Sequence, residues 1–285
     1  MKLPMLADDA VKELIRKALE EDIGSGDLTT TAILTGRETG AARAVSKGDI
    51  VIGGIDVFKE VFLTRDPTLA VEAHFSDGRS AGRGDILACV SGSLKSILMA
   101  ERVALNFFQR MCGIATLTHR YVEAVQGTGV KIMDTRKTTP TLRCLEKYAV
   151  TAGGGTNHRF GLYDQVLIKD NHISAAGSIS LAVEKVKKTL PPGIRIEVET
   201  KNLQEVDEAL AAKVDIIMLD NMGVDAMKEA VSIISGRSLV EASGNVTLSN
   251  VREIALTGVD HISVGALTHS APAADISLLF KETRK

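Results

Sequence analysis

After Gly129, six short and almost wholly apolar runs alternate with segments of helical periodicity: VKIMD, QVLIKD, IRIEVET, VDIIMLDN, LVEASG and VDHISVGA. A strand without a polar face has to be covered on both sides. The intervening helices, expected to start near Leu142, Ile179, Leu203, Val224 and Thr247, can supply that cover. The pattern therefore predicts a parallel sheet buried on both faces. Six units point to an incomplete, about six-stranded α/β barrel related to the (β/α)8 type. An open doubly wound sheet is the rival topology. No G-x-G-x-x-G or phosphate-loop motif follows a strand, which disfavours a dinucleotide or P-loop site.

Upstream the texture differs. Val11, Leu14, Ile15, Ala18 and Leu19 recur at helical spacing, predicting an amphipathic helix over 9–21 with Asp8 or Asp9 as cap and Gly24 beyond its end. The polar loop EDIGSGDLTT follows. Then IVIGG, LAVEAHF and DILACV, interrupted by Gly-rich turns and a helix over 56–63, read as a small α+β, sandwich-like domain. A long helical stretch from Ser93 comes next, with Gly113 expected to break it or join its halves. The expected division is 1–112 for the N-terminal domain and 113–269 for the barrel, with the tail 270–285 packing back on the former.

Global charge does not explain the local pattern. The 285 residues carry a formal net charge of only −2, so no nucleic-acid partner is expected and basic clusters must be read as sites. No apolar run approaches the ~20 residues that span a bilayer, so no membrane partner is expected. The opening MKLPMLADDA turns acidic at once and lacks a signal core. Cys89, Cys112 and Cys144 share no C-x-x-C spacing and are expected as buried thiols of a reducing compartment, giving a cytoplasmic protein.

The strand ends carry residues that an apolar core would not select. Over 134–172, Arg136, Lys137, His158, Arg159, Lys169 and His172 sit beside small or turn-forming residues. Glu197 and Glu199 share one face of their strand because side chains alternate. Asp220-Asn221, Glu241 with Ser243-Gly244-Asn245, and Gly265-Ala266 end the last three. In parallel α/β folds this end of the sheet is the active face. Arg136, Lys137, Arg159 and Lys169 suit carboxylate or phosphate. Glu199 and Asp220 suit a divalent metal or sugar hydroxyls, or else simple salt bridges to the lysines. The small residues of the last two loops, with a helix starting near Thr247, suit phosphate. Gly153-Gly154-Gly155 reads as a helix stop, and Glu101-Arg102 as a solvated pair. No Ser-His-Asp order, Cys nucleophile or H-E-x-x-H motif stands out. These residues indicate an enzyme acting on a small polyanion.

The blocks DTRKTTP, AVTAGGGTNHRFGLYDQVLIKDNHI, IEVET, MLDNM, EASGN and SVGALTHSAP, with EDIGSGDLTT and ERVALNF, closely resemble the quinolinate phosphoribosyltransferase family over almost the full length. One departure is Thr141, where family members commonly have Gly. The resemblance implies transfer of phosphoribose from phosphoribosyl pyrophosphate to quinolinate with loss of CO2, a step toward NAD. It implies that Arg136, His158, Arg159 and Lys169, with Arg102, hold the quinolinate carboxylates, and that Lys137 meets the donor. Glu199 and Asp220 would hold ribose hydroxyls and Mg2+. Ser243, Gly244, Asn245, Gly265 and Ala266 would hold the 5′-phosphate. Lys137, Lys169, Glu199 and Asp220 are the implied catalytic set. The family further implies a homodimer, or a higher oligomer, with Arg102 contributed in trans. The alternatives are a molybdenum-transport-associated paralogue acting on another acceptor and a non-catalytic binder of a phosphorylated metabolite.

Overall fold

Two larger sheets organise the chain, one in each of the two units into which its contacts divide it, and a two-stranded pair adds to the first unit. The computed structural model describes residues 9–280, so Asp8 and the last five residues of the predicted tail lie outside the described residues. The first unit runs to Leu117 and takes in 139–154 and the chain from Ala271; the second holds 118–138 and 155–270.

In the first unit, α1 (Asp9–Ile23) buries Val11, Ile15 and Leu19, the stripe expected from the sequence. A short helix not foreseen there, α2 (Leu28–Ile33), starts where the Asp27 carboxylate accepts the Thr30 N–H at 2.9 Å. Next come β1 (Thr39–Ser46), β2 (Ile50–Val51), α3 (Ile55–Arg65), β3 (Ala70–Ala73), β4 (Ser80–Ala81) and β5 (Ile86–Ser93). β5 lies between β1 and β3 in an antiparallel sheet, and the chain returns over 276–280 to add a strand outside β1. Phe58 of α3 packs with Phe62 and with Phe108, each at a ring-centroid distance of 5.1 Å.

The long helix α4 (Leu94–Ala124) runs unbroken through Gly113. That glycine serves close approach instead of a break: a Cβ there would lie 2.0 Å from the Pro272 carbonyl oxygen. Of the three cysteines only Cys112 is fully buried, which pushes its thiol pKa up; Cys89 and Cys144 are half-buried.

The remaining elements are β6 (Lys131–Met133), α5 (Arg143–Ala152), β7 (Val166–Ile168), α6 (Asp170–Ala176), α7 (Ile179–Thr189), β8 (Ile196–Thr200), α8 (Leu203–Ala211), β9 (Ile216–Asp220), α9 (Val224–Ile234), β10 (Leu239–Ser243), α10 (Val251–Ala255), β11 (His261–Ser263), α11 (Ala266–His269) and β12 (Ile276–Phe280). Of these, α5 and β12 belong to the first unit.

The second sheet is parallel throughout, in the order β6-β11-β10-β9-β8-β7. A doubly wound sheet would reverse direction at a switch point. This order winds once, with β6 and β7 at the two edges, so the fold is an open six-stranded barrel. Beside β6 the chain at Thr156 adds a bridge, its N–H donating to the Ile132 carbonyl at 2.8 Å. The helices bury one stripe each, such as Met227, Ala230 and Ile234 of α9. β8 and β9 are buried on both faces, as their apolar runs required. Among the described residues, no helix is long and apolar enough to cross a membrane.

Candidate active site

The polar ends of all six parallel strands border one cavity of about 470 Å³, of the size that holds a small molecule. Thr135, Arg136 and Lys137 follow β6, His158 and Arg159 precede β7, and Lys169 follows it. Glu199 of β8, Asp220 and Asn221 at β9, Ser243 of β10 and Ser263 of β11 complete the polar lining. Glu199, Asp220, Ser243 and Ser263 stand at or next to the last residues of β8 to β11, and the segments flanking β6 and β7 supply the cations.

Two of the arginines crowd one another. Arg159 is only 8% exposed. Burial, and then the neighbouring Arg136 guanidinium, draw its pKa below the usual arginine value. Two guanidiniums close enough to repel, inside a cavity, favour an incoming dianion. Lys169 approaches Glu199 at 3.4 Å, so the salt bridge that the sequence left open exists, but as a long and half-exposed contact. Asp220 instead accepts an amide hydrogen from Asn221 at 2.9 Å. Two hard carboxylates facing space for water and phosphate oxygens fit Mg2+, which takes few protein ligands.

The loops after β9 and β10 interlock. Asn221 and Asn245 adopt left-handed backbone (φ 55° and 50°), and the Asn245 amide donates to Asn221 Oδ1 at 2.9 Å. A Cβ on Gly244 would fall 2.2 Å from that same oxygen, so only glycine fits. The helix expected near Thr247 begins instead at Val251 and is one short turn. A turn leads into it from Thr247: Asn250 Oδ1 accepts the Thr247 N–H at 2.7 Å, the Asn250 amide donates to the Asn245 carbonyl at 3.0 Å, and the Thr247 carbonyl accepts the Val251 N–H at 3.0 Å. A helix this short gives little helix-terminus support for a phosphate site. Of the small-residue set, Ser243 lines the cavity. Gly244 and Asn245 shape the loop beside it, and Gly265 lets the Lys137 stem pass 3.1 Å from where its Cβ would be, with Ala266 opening α11. Arg102 is exposed on α4, in the first unit. His172, grouped with the cations by sequence, caps α6: its Nδ1 accepts the Lys169 N–H at 2.9 Å.

One inward step further along the strands lies a layer that sequence reasoning left without a role. Glu197 and Glu241 are wholly buried, 3.1 and 3.6 Å from His158 Nε2. His158 Nδ1 accepts the Arg159 N–H at 2.7 Å, so the ring proton sits on Nε2 and points toward Glu197. The trio has the ligand spacing of a metal site. Coordination through Nε2 would, however, strip the ring of its proton. Hydrogen bonding of His158 to Glu197 is the consistent reading. Burial, then the Glu197 charge, push the Glu241 carboxyl up to about 8. Alternation places Glu197 and Glu241 two residues before Glu199 and Ser243, the one signal that could have flagged them.

The family model described as quinolinate phosphoribosyl transferase, C-terminal domain, matches residues 114–279, and its N-terminal counterpart matches 27–112. A probable nicotinate-nucleotide pyrophosphorylase [carboxylating] of Synechocystis is 46% identical over 93% of this chain and 90% of its own. A mitochondrial quinolinate phosphoribosyltransferase [decarboxylating] of Nicotiana tabacum is 45% identical over 94% and 81%. The crystal structure of nicotinate-nucleotide pyrophosphorylase from Ehrlichia chaffeensis superposes with a TM-score of 0.92 at 43% identity, covering 99% of this chain and all of that one.

Proposed function

The chain belongs to the quinolinate phosphoribosyl transferase family, and from that membership we infer its reaction: decarboxylating phosphoribosyl transfer to quinolinate. The enzyme is a pentosyltransferase. The quinolinate ring nitrogen bonds to the anomeric carbon of phosphoribosyl pyrophosphate as the bond to pyrophosphate breaks. The ring carboxylate next to that nitrogen then leaves as CO2. Its bonding electrons stay on a carbon stabilised by the adjacent ring cation, which takes up a proton to give nicotinate mononucleotide.

The observation that carries the residue assignment is the Arg136–Arg159 juxtaposition in a cavity that also holds carboxylates. We assign Arg136, Arg159 and Lys169, joined by Arg102 of a partner subunit in a homodimer, to the two quinolinate carboxylates. His158 serves as wall and anchor. Lys137 meets the pyrophosphate end of the donor. Glu199 and Asp220 hold the ribose hydroxyls and Mg2+, and Ser243 with its loop lies toward the 5′-phosphate. When bound, Mg2+ neutralises charge on the departing pyrophosphate. The protein otherwise works by positioning and by fixed charge, with no covalent intermediate. We place the reaction in the cytoplasm.

Incubation of the purified protein with quinolinate, phosphoribosyl pyrophosphate and Mg2+ tests the reading. Nicotinate mononucleotide and CO2 are expected in equal amounts; neither appearing would overturn it. Mixing inactive Arg102→Ala protein with an inactive Lys169→Ala protein should restore activity if sites are shared. No recovery after demonstrated subunit exchange removes Arg102 from the partner's site.

A further inference from the structure

The loop between α5 and β7 carries two cavity residues, His158 and Arg159, yet it is tied to a carboxylate that is not part of the cavity lining. Glu197 is wholly buried within β8. Its Oε2 lies 3.1 Å from His158 Nε2 and accepts a bond from Gln165 Nε2 at 2.7 Å. The main-chain carbonyl of Gln165 in turn accepts from Arg159 Nη1 at 3.1 Å. One oxygen therefore gathers both ends of the span from His158 to Gln165. Within that span Asp164 closes the turn by accepting the Gly161 N–H at 2.9 Å.

We propose that Glu197 is a positioning residue: through His158 and Gln165 it fixes this loop so that Arg159 faces the substrate carboxylates. The proposal rests on the quinolinate reading above. An arginine has many rotamers, and a forked clamp discriminates a carboxylate only when its plane is set before binding. Arg159 also sits against Arg136, so without a tether the two guanidiniums would splay apart. A leucine would cost less to bury at position 197 than a carboxylate does. Supporting the loop gives the buried charge a use.

Steady-state kinetics of the full chain carrying Glu197→Leu, Glu197→Gln or Gln165→Leu, each alone and combined with Arg159→Ala, tests this. Glu197→Leu and Gln165→Leu should raise KM for quinolinate by about tenfold or more, the worth of a hydrogen bond to a charged group. KM for phosphoribosyl pyrophosphate should stay within about twofold, since that end of the cavity is untouched. Glu197→Gln keeps an acceptor oxygen and should recover most of the affinity. In the Arg159→Ala background the effect of Glu197→Leu on quinolinate should vanish, because no guanidinium is left to orient. Full additivity with Arg159→Ala, or equal losses for both substrates, would overturn the proposal. Should Glu197→Leu fail to fold, Gln165→Leu decides alone, because Gln165 is only half-buried. A wild-type protein that forms no product would sink the quinolinate reading instead. Wild-type turnover with additive variants would sink only the positioning role.

Discussion

Glu146 and Glu241 are each 1% exposed, but they are buried in opposite ways. In the first unit, Glu146 receives Arg110 through Nη2 and Nε at 2.8 and 3.1 Å, plus the Thr139 N–H at 3.0 Å. Its charge is met on both oxygens. In the second unit, Glu241 faces another carboxylate, and among the described residues neither its Oε1 nor that of Glu197 has a hydrogen-bond partner. Burial by itself therefore does not mark a functional group; incomplete satisfaction does. The same contrast holds for the cations, since Arg110 has its carboxylate while Arg159 is set against Arg136.

The sharpest way to break this contrast is to remove the cation that crowds Arg159. Arg136→Ala should lower kcat/KM by about a hundred- to a thousandfold, as expected when one partner of a desolvated charge pair is truncated. Thermal stability should stay level or rise, because repulsion is relieved; a variant with wild-type kinetics would take Arg136 out of the site. Glu146→Ala should do the reverse. It leaves Arg110 and Thr139 without their acceptor and should cost roughly 3 kcal/mol in denaturant unfolding. A loss under 1 kcal/mol would mean the first unit's pair is no more satisfied than the second unit's.

Glu241 gives a smaller effect with a definite pH window. Its folded pKa, about 8, lies above the ordinary value of 4.5, so its favourable contribution is complete below 4.5 and is lost as pH rises toward 8. Glu241→Gln removes the titration. Melting curves at pH 5, 7 and 9 should show the variant gaining on wild type as pH rises, and a constant difference would refute the buried-acid assignment. The smallest effect concerns Thr141, a β-branched residue at φ 68° on an exposed turn. Thr141→Gly should stabilise by about 1 kcal/mol through relief of backbone strain, net of glycine's greater chain entropy. A loss of stability would show that the Thr141 hydroxyl, which donates to the Pro140 carbonyl at 2.6 Å, outweighs the strain.

Strand–helix alternation and the polar strand ends were legible because they are local: a period, an apolar run, a charge where the run stops. The same alternation that pairs Glu197 with Glu199 was visible, but not that one would be sealed under the site and the other left lining it. Gly113 could have broken the long helix or joined its halves; it joins them, and the sequence cannot show Pro272 arriving beside it. The helix expected near Thr247 starts at Val251, after a turn in which Asn250 accepts the Thr247 N–H, a side-chain contact that periodicity does not register.

The sequence by itself determined a parallel sheet covered on both faces with cations and carboxylates at its strand ends, since apolar strands need two covered faces and buried charge needs a reason; the strand order then made it a barrel. Only the tertiary structure decided which of those charges are matched. It set Arg136 against Arg159, placed His158 between a backbone N–H and Glu197, and gave Glu146 a full set of partners. Pairing depends on distances between residues far apart in the chain, and those are fixed when the strands close around the cavity.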